Sequence, residues 1–127
     1  MTILGIIVNL LAILVIDHAY DLKRAERLFE NIRNCNENKT SPTMNTEILL
    51  CILTKDGQII DHDSIVPREM HKFIMEITSN KQLAESSQNL YDACSSNARY
   101  LNYTSKAKMR FIIECSLPIV SNAFTIR

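Results

Sequence analysis

Four cysteines, Cys35, Cys51, Cys94 and Cys115, all lie downstream of an apolar run that opens the chain. That order constrains the fold more than any other feature. The run extends from Ile3 to Ile16 in "MTILGIIVNLLAILVIDHAY", with polar Asn9 inside it. It is shorter than the roughly 20 residues that span a bilayer. It matches the apolar region of a secretory signal peptide, with Ala19 as the last residue removed. Two details depart from that pattern: no Lys or Arg precedes the run, and Asp17 sits close to the cut. The predicted division is residues 1–19 as signal peptide and residues 20–127 as one domain. The competing reading keeps the run as a buried helix and the cysteines as reduced core residues. Export favours oxidation, and an even number of cysteines in a small exported chain implies two disulfides. Three connectivities are then possible. Zinc is disfavoured, because no two cysteines are closer than 15 intervening residues.

Removal of residues 1–19 leaves 108 residues with 14 basic and 13 acidic side chains. No basic block offers a footprint for nucleic acid. No long apolar stretch follows residue 16, so no membrane span is predicted. A domain of this size buries only about 60–70% of its unfolded surface, so cross-links would help it. With 2 Gly and 3 Pro, the chain is poor in turn formers and favours helices.

Helical spacing confirms that preference. Leu22, Ala25, Leu28, Phe29 and Ile32 form one predicted face, with Lys23, Arg24, Arg27 and Glu30 opposite. A second helix is predicted from Met44 to Lys55, apolar nearly all round and ended by Gly57. "IIDHDSIVPRE" reads as a short polar connection, and Pro67 opens a third helix with Glu69 in its first turn. Met70, Phe73, Ile74 and Ile77 give that helix its apolar stripe. A fourth begins after Asn80 with Leu83, Leu90, Tyr91 and Cys94 inward, and Ser86-Ser87 predicts a break into two pieces. Thr104 caps a fifth helix with Ala107, Phe111, Ile112 and Cys115 inward, ended by Pro118. The apolar tail "IVSNAFTIR" is expected to pack back on the domain. The predicted fold is therefore all-α, a compact bundle of five to six helices around an apolar cavity, stapled by two disulfides.

The stretch "CILTKDGQIID", Cys51 to Asp61, resembles the third-cysteine region of the insect odorant-binding proteins. The 42 residues between Cys51 and Cys94, and the 20 between Cys94 and Cys115, fit the same family. The chain looks like the four-cysteine variant, which lacks the second and fifth cysteines. Those positions fall on Glu47 and Lys106, where an ion pair in place of the missing bridge is expected. The interval from Cys35 to Cys51 is about half the family's usual length. The resemblance implies the pairings Cys35–Cys51 and Cys94–Cys115. It also implies a secreted, extracellular carrier of a small hydrophobic ligand such as an odorant or pheromone, with a receptor or a second copy as further partner.

Pockets between helices are common sites for apolar ligands. The expected lining is Met70, Phe73, Ile74, Ile77, Tyr91, Met109, Phe111 and Ile112, with Ile119 and Phe124 from the tail. Tyr91 is the candidate polar contact. The alternative is a secreted helical interaction protein, venom, salivary or cytokine-like, on the same scaffold without a cavity.

No catalytic residue, metal ligand or cofactor is predicted. Neither G-x-S-x-G nor H-E-x-x-H is present. Asp61-His62-Asp63 could open a calcium loop, but Ile65 and Val66 stand where that loop needs an acidic or amide residue and glycine. His62 and His71 are candidates for titration near neutral pH, though polar surroundings read them as surface residues. Asn38-Lys39-Thr40 and Asn102-Tyr103-Thr104 match the N-glycosylation pattern.

Overall fold

The computed structural model describes residues 20–36 and 44–124. The predicted signal peptide, Asn38 and the last three residues lie outside the described residues. Among the described residues six helices and one short hairpin follow in order: α1 (Leu22–Cys35), α2 (Thr46–Asp56), β1 (Ile60–Asp61), β2 (Ser64–Ile65), α3 (Pro67–Ile77), α4 (Lys81–Ala98), α5 (Ser105–Cys115) and α6 (Pro118–Ala123). The fold is all-α apart from that hairpin, as expected from the helical periodicity.

Local chemistry sets the boundaries. Asp21 caps α1, its carboxylate accepting from the Lys23 and Arg24 amides. Asn45 caps α2 by accepting from the Ile48 amide, so Met44 precedes the helix instead of opening it. An N-cap side chain of this kind contributes about 1 kcal/mol. Gly57 ends α2 at φ 85°, a left-handed conformation open to glycine at little cost. Asn80 and Thr104 cap α4 and α5 in the same way as Asn45.

Three expectations about elements need correction. The connection after α2 is a hairpin, with Ile60 opposite Ile65 and Asp61 opposite Ser64. His62 occupies its turn at φ 58°. Secondly, α4 is one unbroken helix of 18 residues. Ser87 is fully buried in it, and its hydroxyl accepts a 2.9 Å hydrogen bond from Asn122 Nδ2, so it fits the packed face. Thirdly, Pro118 not only stops α5 but occupies the first turn of α6, where a missing amide hydrogen costs nothing.

The core runs through the centre of the bundle. α2 supplies Ile48, Leu49, Ile52 and Leu53, each at most 4% exposed. Against it pack Leu28 of α1, the α3 stripe, Tyr91, Ile113, and Ile119 with Val120. α1 packs on α2 and α3, and α4 packs on α3, α5 and α6. The inward face of α5 is rotated from the expected one: Met109 and Ile113 are buried, while Ala107, Phe111, Ile112 and Cys115 are half-buried. On α1, Leu22 and Phe29 were expected inward but are exposed, and Arg24, expected outside, is buried.

The cysteines pair as Cys35–Cys51 and Cys94–Cys115, with Cα separations of 5.9 and 5.8 Å. The first ties the end of α1 to the middle of α2. The second ties α4 to the end of α5. Each closes a short loop worth about 3 kcal/mol in the chain-entropy model.

Candidate functional site

Two features stand out around the core: a buried ionic cluster that fixes three helices, and an apolar groove open at the surface. The cluster centres on Arg24, 4% exposed in side chain. Its Nη2 and Nε donate to the two carboxylate oxygens of Asp56 at 2.8 and 3.3 Å. Its Nη1 donates to Glu76. The guanidinium also lies 5.3 Å from the centre of the Phe73 ring. Asp56 closes α2 and Glu76 lies in the last turn of α3, so one side chain of α1 holds both helix ends. The Asp21 amide adds a 2.9 Å bond to the Glu76 carbonyl. Burial works against the charge of Arg24, but the hydrogen bonds and charges of Glu76 and Asp56 outweigh it and hold its pKa above the ordinary value.

The groove is formed by three helix ends. Phe29, Ile32 and Asn36 come from one stripe of α1 and its cap, Met44 and Ile48 from the entry to α2, and Val120, Ser121 and Phe124 from α6. Its volume is about 370 Å³, and it opens to solvent. Phe29 and Phe124 stand at its mouth with ring centres 4.7 Å apart, 53% and 41% exposed. Cys35, the neighbour of Asn36 in the chain, is bridged to Cys51 and ties the end of α1 to α2. A second, smaller concavity of about 210 Å³ lies between the hairpin, α4 and α5. Arg99 and Lys108 border it, with Met109 and Ile112 among its apolar groups.

The ten residues expected to line one cavity are placed differently. Met70, Phe73, Ile74, Ile77, Tyr91, Met109 and Ile119 all belong to the central cluster, each 6% exposed or less. Met109 and Ile112 also line the smaller concavity, and Phe124 alone of the ten lines the apolar groove. Phe111 is half-buried on α5. Tyr91 is buried, with its hydroxyl bonded to Ser95 and the His71 ring edge-on at 5.5 Å. Burial pushes the Tyr91 phenol up, the Ser95 bond opposes that, and Asp92 adds a smaller upward push.

Sequence reasoning missed the rest of the groove. Phe29, Ile32 and Asn36 repeat at three and four residues, a helix stripe adjoining the Ala25–Leu28 face. A face carrying Leu22, Ala25, Leu28, Phe29 and Ile32 together is wider than one contact needs, and that width was the available signal. The expected Glu47–Lys106 pair is also corrected. Glu47 is bound by Arg110, one turn beyond Lys106 on α5, and Arg110 holds its carboxyl below the usual range. This bridge is exposed at both ends and contributes little. Among the described residues no group of three or more His, Cys, Asp or Glu could hold a metal. Nor is any described helix long and apolar enough to cross a membrane.

Fold and groove together define a small all-α domain, stapled by two disulfides, with its apolar recess open at the surface. Residues 33–120 match the family model described as the ant venom allergen Sol i 2 family, and this span contains all four cysteines and both bridges. The chain belongs to that family. The match replaces the resemblance to the insect odorant-binding proteins drawn from the cysteine spacing. No curated protein and no solved structure matches the chain significantly.

Proposed function

We propose that the protein is a secreted venom component that acts through non-covalent binding at its surface and carries out no catalysis. The observation that carries this reading is the family match over residues 33–120, whose name places relatives in venom. The two formed disulfides support it, since such bridges persist in oxidising, extracellular settings. The apolar opening of the N-terminal sequence supports export, with residues 1–19 removed. The sequence carries no hydrolase signature. Contiguous exposed apolar surface marks interaction sites, and Phe29 with Phe124 provides such surface.

The reading is tested by mass spectrometry of the animal's venom and of whole-body extract. The expected result is the oxidised chain beginning near Tyr20, enriched in venom and carrying two bridges. Detection only in other tissues, or with the first nineteen residues retained, would refute it.

A further inference from the structure

The apolar groove has the dimensions and chemistry of a small-molecule site. Ligand clefts run from about 300 to 1,000 Å³ and combine apolar walls with a few polar groups. This groove holds about 370 Å³ and is lined by Phe29 and Phe124, with Asn36 and Ser121 as its polar members among the described residues. Ser121 Oγ already donates to the Pro118 carbonyl at 2.9 Å. Asn36 Oδ1 is buried and has no hydrogen-bond partner among the described residues. A buried acceptor left unpaired is costly, so an occupant that brings a donor gains more than one that is merely apolar. The terminal torsion of an asparagine is broad, so its carbonyl can swing to meet that donor. The cap geometry and the adjacent Cys35–Cys51 bridge hold the Asn36 backbone in place.

The dimensions suit a small molecule better than a macromolecular partner. A stable protein interface uses about 800 Å² and 20–30 residues a side, whereas this recess has a volume of about 370 Å³ and, among the described residues, eight lining groups.

We propose that the groove between α1, α2 and α6 binds a small apolar molecule bearing one hydrogen-bond donor, with the donor on Asn36 and the apolar body between Phe29, Met44 and Phe124. This site is separate from the central cluster and stands independently of the venom reading. Removal of apolar surface from water drives the binding, and the donor sets the orientation.

Methionine-methyl NMR on the oxidised protein, as secreted from insect cells, tests the proposal with decanol and decyl methyl ether as probes. The two share an apolar body, and only the alcohol donates. Met44 should shift saturably with decanol, while Met70 in the core and Met109 at the other concavity stay in place. The alcohol should bind about fivefold more tightly than the ether, the worth of one net hydrogen bond. Asn36→Ala should erase that preference. Phe29→Ser, at an exposed position, should abolish the Met44 shift with the circular dichroism spectrum unchanged, and Phe124→Ser should do the same. Shifts at Met109 alone would overturn the location. Equal affinity for both probes would overturn the role of Asn36. A Met44 shift that depends on protein concentration without probe would mean that a second copy fills the groove, and would overturn the ligand.

Discussion

Replacing Arg24 with methionine should destabilise this domain more than any single surface change. Methionine keeps an unbranched apolar stem, shorter than arginine's full length, but none of its donors. The Asp56 carboxylate, 3% exposed, would lose both of its bonds, and Glu76, 15% exposed, would lose its partner. Breaking a buried pair by removing one member costs about 3–5 kcal/mol, because the remaining charge has neither water nor partner. A domain of this size has a total stability of about 5–15 kcal/mol. The loss should lower Tm by roughly 15–30 °C, at several degrees per kcal/mol. Urea unfolding of the oxidised protein, followed by helix circular dichroism, measures it. The companion variant carries Arg24→Met, Asp56→Asn and Glu76→Gln together. It removes the charges as well as the pairing and should recover a substantial part of the loss. A cost below about 1 kcal/mol for the single change would refute the reasoning. So would a triple variant no more stable than the single one, since the residual charges would then not be the cause.

Three further outcomes are expected. Changing Cys94 and Cys115 to alanine together should cost about 3 kcal/mol, the entropy of a loop of 21 residues, measurable by the same unfolding. Tyr91 has a folded-state pKa above its ordinary value, chiefly through burial. Its stabilising contribution is therefore intact below the unfolded pKa of about 10 and is lost as pH rises through the folded pKa. Tm measured from pH 9 to 11 should fall less steeply in Tyr91→Phe than in the parent; equal slopes would remove Tyr91 as the cause. Asn122→Ala should leave the buried Ser87 hydroxyl without its donor and cost about 1–2 kcal/mol, while adding Ser87→Ala should return much of that.

The groove shows where reading along the chain stopped short. Phe29 was assigned to the core face of α1 because its spacing continues that of Ala25 and Leu28. Spacing reports only that two residues share a side of a helix. Whether the far edge of that side meets another helix depends on where α2 and α6 end. Arg24 reverses the case: a charged residue on the polar side is normally solvated, and nothing local marks Asp56 and Glu76 as its partners, 32 and 52 residues away.

What the sequence determined by itself is therefore what short-range forces control. Helix periodicity, the cap at Thr104, the helix start after Asn80, the stop at Gly57 and Pro67 in a first turn are all set within a few residues. The even cysteine count in a chain that opens on an apolar run points to two bridges. Only the tertiary structure decided which edge of each apolar stripe is covered, that Ser87 is tolerated at the centre of α4 because Asn122 comes back to meet it, and that Glu47 finds Arg110 instead of Lys106. Those outcomes depend on helix rotation and on distances between segments far apart in the chain. A rotation of one residue changes a side chain's direction by about 100° and leaves the sequence pattern almost as good.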